Sequence, residues 1–320
     1  MAEVSKLNHP WLIAVWPGMG HVALNAGIYL LSKLGMSAVA EFEAGDLFDV
    51  DQIEVKDGLI LPVRKPRNRF FVWHDPAKRH DLVVFLGEAQ PPLGRFAFCR
   101  QVIAFARELG VERVFTFAAM ATRMAPKDRS RVFGAATDAQ GVAELRGLDL
   151  ELIEGGQIGG LNGVLLAAAA QAGLRGTCLL GEMPHVFAQA PFPRASLVIL
   201  EQFSALSGVR IDLEELEEQA RLVEDQLSEL LARVTEQFNP TSGSEDEPSE
   251  GDEPSESPDY QTSEPPEEPA NSAEREQIEE LFRLAATDRS KAFELKRELD
   301  RLGWFKQYED RFLDLFKKPS

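Results

Sequence analysis

Cysteine is scarce in this 320-residue chain: Cys99 and Cys178 are the only two, which excludes a disulfide framework and any cysteine-rich zinc pattern. Both lie in apolar stretches, Ala97-Phe98-Cys99 and Thr177-Cys178-Leu179-Leu180, the setting of buried core thiols. Histidine is scarce too, and His21, His74, His80 and His185 lack metal-ligand spacing. Long apolar runs are missing. The longest candidate, Gly163–Ala170, falls well short of the roughly 18 residues that span a bilayer. The segment Met1–Pro10 is polar with a single Lys6, unlike a secretory signal, so a cytoplasmic protein is expected. Basic residues are outnumbered, 34 Lys and Arg against 52 Asp and Glu, for a net charge of −18. Nonspecific binding of nucleic acid or of an anionic membrane needs a positive field, so neither is an expected partner.

The negative charge is concentrated. Residues 239–272 hold 11 acidic residues, no basic one and seven prolines. Self-repelling charge with little apolar surface cannot offset the entropy of ordering, so this stretch is expected to be a disordered, extended linker. Residues 273–320 balance 11 acidic against 11 basic residues, and residues 1–238 hold 30 against 23. Three segments follow: an α/β domain over 1–238, an acidic linker over 239–272 and a helical tail over 273–320.

Within the first segment, short apolar runs alternate with helical periodicities. Trp11–Trp16 reads as a buried strand, Pro17–Gly20 as a turn, and Val22 to Leu34 as a helix ended by Gly35. Ala38–Phe42, Phe70–Trp73, Asp81–Leu86, Val114–Phe117, Leu150–Ile153 and Thr177–Leu180 read as further strands. Ile53–Val55 and Leu59–Val63 suggest a hairpin, and Phe96–Leu109, Leu161–Ala172 and Pro193–Leu206 suggest helices. This alternation predicts a three-layer α/β/α sandwich around a mostly parallel sheet. Over 210–238, Leu213, Leu216, Ala220, Val223, Leu227, Leu230 and Val234 recur at spacings of 3 and 4, the a/d seam of a long heptad helix, with Asp212 as its cap. Such a seam serves either packing on its own domain or a coiled coil between subunits. In the tail, Ser272 opens a helical stripe of Ile278, Leu281, Phe282 and Ala285, and Gly303 separates two later stripes. Some 46 residues make a small core, so the tail is expected to dock on a surface, in cis or in trans.

Three motifs stand at strand ends. Gly18-Met19-Gly20-His21-Val22-Ala23 follows the first strand and fits G-x-G-x-x-A, a pattern that lets a backbone approach a pyrophosphate at a helix N-terminus. Gly155–Gly163 places five glycines before a helix, suited to close packing or to an anion-binding nest, but without the G-K-[ST] ending of a Walker loop. Leu179–His185 and Gly87–Pro92 set Glu182, His185 and Glu88 at strand ends, where open α/β sheets bind ligands. The candidate ligand- or partner-contact residues are therefore Gly18, Gly20, His21, Glu88, Gly156, Gly160, Asn162, Glu182 and His185. No nucleophile accompanies them, and neither a catalytic set, a metal site nor a cofactor is expected. The run Arg64-Lys65-Pro66-Arg67-Asn68-Arg69 reads as a solvated basic loop, or as a contact for an acidic segment such as the linker.

Taken together, Pro17-Gly18-Met19-Gly20, Gly156-x-Ile158-x-Gly160-Leu161-Asn162-Gly163 and Leu179-Leu180-Gly181-Glu182-x-Pro184 stand in an order and spacing that resembles the proteasome assembly chaperone family. The likeness is to its archaeal and bacterial members, related to the second eukaryotic chaperone subunit, and spans about residues 10–237. It implies a phosphorylase-like α/β/α sandwich, a homo-oligomer, and a non-catalytic scaffold for protein partners, among them proteasome-like subunits. Some archaeal members contact the proteasome through a C-terminal hydrophobic–Tyr–any-residue ending. This sequence reads Lys317-Lys318-Pro319-Ser320 there, so that contact is not expected. Some relatives carry an ATP-grasp or carboxylate–amine ligase label. The corresponding alternative is a nucleotide- or anion-binding enzyme or sensor using Gly18–Gly20 or Gly155–Gly163.

Overall fold

Five consecutive apolar residues make the first strand, β1 (Trp11–Val15), buried on both sides by neighbours that run parallel to it. The computed structural model describes residues 6–238 and 272–317, except for Glu43, 49–52, Glu54, Asp57, Val63, Arg64 and Asp149. The expected linker therefore lies outside the described residues but for its last position, Ser272. The sheet has eight strands in the order β2 (Ser37–Glu41), β5 (Asn68–Trp73), β6 (Leu82–Gly87), β1, β7 (Arg113–Thr122), β10 (Arg175–Pro184), β8 (Val132–Ala136) and β9 (Glu151–Leu152). Its centre, β6-β1-β7-β10, is parallel and buried, as continuous apolar runs require. Both flanks are antiparallel: β2 on β5, β5 on β6, and β8 on β10. The sheet is thus mixed, with the expected parallel core framed by reversed strands. A separate hairpin, β3 (Val55–Lys56) with β4 (Leu59–Ile60), is shorter than the sequence suggests.

Helices cover both faces. On one, Phe98, Cys99 and Val102 of α2 (Arg95–Glu108) and Leu161 and Leu165 of α4 (Gly160–Gln171) pack on Ala14, Phe85 and Cys178. On the other, α1 (Val22–Lys33) and α5 (Pro193–Ser207) pack on Ile13, Val84, Phe115 and Leu179. Burial of the two thiols pushes each up to about 12, so neither offers a thiolate at neutral pH. A short helix that the apolar periodicities do not predict, α3 (Ala139–Arg146), sits beside β8 and is capped by Asp138, which accepts from the Gly141 amide at 2.6 Å.

The heptad helix, α6 (Glu214–Phe238), runs along α5. Asp212 accepts from the Glu214 amide at 3.2 Å, the expected capping role. The seam divides. Leu216, Ala220 and Leu227 are buried on the chain's own domain, whereas Leu230 and Val234 are 49% and 40% exposed. The tail forms α7 (Ser272–Thr287), α8 (Ala292–Arg301) and α9 (Phe305–Asp314), with Gly303 at φ +69° turning the chain between the last two. It docks in cis. Ile278, Phe293, Leu299, Phe312 and Phe316 share one apolar core with α1 and the sheet. For this reason every residue from Val22 to Ser32 of α1 is buried, the pattern of a helix covered all round.

Candidate functional site

The strand-end loops converge on one another. Gly20 sits at φ +59°, and a side chain there would bring its Cβ within 2.6 Å of Met183 Sδ. Only glycine admits both the left-handed backbone and the packing of β10 beneath it. Its amide donates to the Ala188 carbonyl at 2.9 Å, its carbonyl accepts from Phe192 at 3.0 Å, and the His21 amide donates to Gly18 at 3.0 Å. The turn that resembles a pyrophosphate cradle thus has two of its amides committed to the chain itself. Gly18 is exposed and extended, with no atom near its Cβ position. His21 caps α1 in the left-handed region at φ 51°. Burial, then the Lys296 charge, lower its imidazole below the ordinary range, while Asp300 opposes them.

The glycine-rich stretch before α4 is held by Gln90, which lies in the Gly87–Pro92 stretch but is not among its expected contact residues. Gln90 Oε1 accepts from the Leu161 amide at 3.1 Å, and its Nε2 donates to the Pro17 carbonyl at 3.1 Å. One side chain therefore ties the first turn to the α4 N-terminus and sits where an anion would meet that amide. Gly160, at φ +66°, leaves room for it, since a Cβ would lie 3.0 Å from Gln90 Oε1. Gly156 is exposed at φ +118° with open space around it, and Asn162 is half-buried, its carbonyl 3.4 Å from Thr116 Oγ1.

The two carboxylates stand apart. Glu182, on β10, is buried and accepts from Arg131 Nε at 2.8 Å, Arg131 Nη2 at 2.6 Å, the Arg131 amide at 3.2 Å and Thr122 Oγ1 at 2.8 Å. The Arg131 hydrogen bonds hold its carboxyl below the ordinary range, against the opposing effect of burial. His185 joins it through Thr122: Nδ1 lies 2.9 Å from the Thr122 carbonyl, which can only accept, so Nδ1 carries the proton. Glu88 directly follows β6, with β1 and β7 between that strand and β10. Three strand spacings, about 14 Å, separate the two strands. Glu88 is buried, accepts from the Arg67 amide at 3.0 Å and lies 3.4 Å from Arg69 Nη2. The structure unites Glu182 with His185, and Gly20 with the loop after β10, but leaves Glu88 outside that group. Beside Arg131 opens a polar groove of about 670 Å³, lined among others by Arg129, Ser130, Arg194, Glu201 and Glu224. Arg194 and Glu224 form a bidentate pair across it, at 2.5 and 2.9 Å. Among the described residues no group of three or more His, Cys, Asp or Glu could hold a metal, and no helix is long and apolar enough to cross a membrane.

These features define an α/β/α sandwich whose strand-end loops are bonded chiefly to one another. The chain belongs to the PAC2 family, whose model matches residues 12–231. The uncharacterized protein MJ1210 of Methanocaldococcus jannaschii is 27% identical over 225 residues, covering 69% of this chain and 83% of the relative. Among solved structures, Pyrococcus furiosus PbaB, described as an archaeal proteasome activator, is 25% identical with a TM-score of 0.60, covering 73% of this chain and 96% of its own. A PAC2 family protein of Streptomyces avermitilis is 26% identical with a TM-score of 0.58, covering 72% of this chain and all of its own. The Mycobacterium tuberculosis proteasome-assembly chaperone homologue Rv2125, at 22% identity and a TM-score of 0.61, covers 72% of this chain and all of its own and shares the fold.

Proposed function

We propose that the protein is a non-catalytic, protein-binding chaperone or assembly scaffold acting in the cytoplasm. Its partners are protein subunits, proteasome-like ones where these are present, and not nucleic acid or membrane. The observation that carries this reading is the internal use of the strand-end groups. The Gly20 and Leu161 amides and the Glu182 carboxylate are all taken by the chain's own Ala188, Gln90, Arg131 and Thr122. That arrangement fixes a shape and leaves its recognition to outer surfaces. Similarity to PbaB supports the same reading. A homo-oligomer is supported by the exposed end of the α6 seam, Leu230 and Val234, which continues past the part packed on the domain.

Affinity capture from the native lysate tests the proposal. The full chain, fixed through an N-terminal tag, is expected to retain specific protein subunits that a Leu230→Glu, Val234→Glu variant distinguishes from self-association. Retention of no protein at all would overturn it.

A further inference from the structure

The face beneath the tail is built as a polypeptide site. β2 is the last strand of the sheet, and its outer edge would present free backbone groups. The tail supplies the missing partner: the Ala38 amide donates to the Phe316 carbonyl at 2.8 Å, and Ala38 and Lys317 form a parallel bridge. Arg289 clamps the junction, reaching the Met36 carbonyl at 3.1 Å and the Lys317 carbonyl at 2.8 Å. Arg67 and Arg69 grip Asp310 at 3.0 and 2.6 Å. Phe293 stands edge-on to Tyr29 of α1 at 4.5 Å, and Phe316 edge-on to Phe71 at 6.2 Å. Edge strand, guanidinium pair and aromatic seats together recognise a helical segment: Phe293 from α8, Asp310 from α9, and Phe316 with the bridging Lys317 just after α9.

Nothing in this face requires that the helical segment come from the same molecule. The family match ends at residue 231, before the tail begins. The segment shared with the family therefore does not include it. Residues 239–271 separate α6 from α7, and 33 residues can reach at most about 110 Å. Docking on a neighbour makes the same contacts as docking at home, which is the condition for exchange of an element between protomers. Covalent connection makes home docking intramolecular and favours it at low concentration. Where copies are already held together, the two arrangements compete on equal terms.

We infer that the face formed by β2, α1 and Arg67–Arg69 is an exchange site that takes the tail of a second copy of this chain, so that tails link copies. The inference stands apart from the chaperone reading, because its test involves copies of this chain alone.

The test pairs two full-length variants. One keeps its tail but has a disabled face, Ala38→Pro with Arg67→Glu. Proline removes the outward amide of an edge strand and is tolerated there, and Arg67 is only partly buried. The other keeps its face but has a disabled tail, Asp310→Arg with Phe316→Ala. A donor dye on the intact tail and an acceptor beside the intact face report docking in trans, and far-UV circular dichroism confirms that each variant is folded. Mixing is expected to raise the apparent affinity for energy transfer at least tenfold over a mixture of identically labelled wild-type chains, whose sites are filled in cis. No transfer in the mixed variants, with both folded, would overturn the inference. Strong transfer in the wild-type mixture as well would support it, since wild-type tails would then already exchange between copies.

Discussion

Arg69 and Asp310 lie 241 positions apart in sequence and meet at 2.6 Å. The Arg69 side chain is 4% exposed and the carboxylate 38% exposed, so the tail brings a counter-charge to a guanidinium that is buried once the tail is docked. Glu88, at 3.4 Å, is the other carboxylate in reach. Removing one partner of a buried pair is costly because the remaining charge stays desolvated, though the exposure of Asp310 reduces the effect. Asp310→Ala is therefore expected to destabilise the protein by about 1–2 kcal/mol. Urea unfolding reads this as a lower midpoint with an unchanged slope. An unchanged midpoint would mean that the pair contributes nothing to tail docking.

Glu182 and Arg131 offer a second test, on the opposite flank. Four hydrogen bonds converge on the buried carboxylate, and the group is held ionised below its ordinary range. A carboxyl lowered by folding contributes stability that is present above its unfolded value, near 4.3, and is lost as the pH falls through the folded value. Glu182→Gln is expected to cost about 2–3 kcal/mol at neutral pH and to flatten the acid limb of the stability profile below about pH 4.5. Parallel acid limbs in wild type and variant would assign that limb to other carboxylates.

The first turn can be tested for both packing and binding. Gly20→Ala must adopt a left-handed backbone and displace Met183, so a loss of about 2–4 kcal/mol is expected. Because the Gly20 amide is engaged by Ala188, ATP, ADP or inorganic phosphate at millimolar concentration is expected to leave the melting midpoint of the wild type unchanged. A shift of several degrees with a nucleotide would revive a nucleotide-binding reading of this turn.

Much of the fold was legible where apolar period and punctuation agree. Trp11–Trp16, the turn before Val22, the heptad seam and the stop at Gly303 all stand in the structure close to where those signals put them. β8 and α3 escaped because Val132–Ala136 is short and small-residued: Gly134 admits Leu145 and Leu150 in place of a side chain of its own, which leaves no alternation to read. The partners at the site were less legible still. Gln90 acts on groups 71 and 73 positions away, and Arg131 on a carboxylate 51 positions away. No local spacing encodes such pairs, which exist only once the parallel strands have brought their ends together. The basic run shows the same limit. Arg67 and Arg69 both meet Asp310, a single carboxylate of the charge-balanced tail, and Asn68 and Arg69 are buried in β5 and not part of a solvated loop.

The pH dependence of tail docking follows from His21, at the N-terminus of α1. The charged groups that act on it are Lys296 and Asp300, both on α8. Lys296 is itself buried, donating to Asn25 Oδ1 at 3.1 Å and to the Asp300 carboxylate. Burial, first, and then the Lys296 charge favour the neutral imidazole in the folded protein. The unfolded chain, with an ordinary value near 6.5, then binds more protons than the folded one across the window just below that value. Stability must fall as the pH drops below about 6.5, and the loss should appear at the α1–α8 contact. His21→Asn keeps the left-handed backbone, which asparagine tolerates, and removes the titration. Wild type is expected to lose more of its melting midpoint between about pH 7.5 and 5.5 than this variant, and hydrogen exchange in α8 should accelerate over the same interval. If the variant loses as much as the wild type, His21 is not the group that couples acid to the tail.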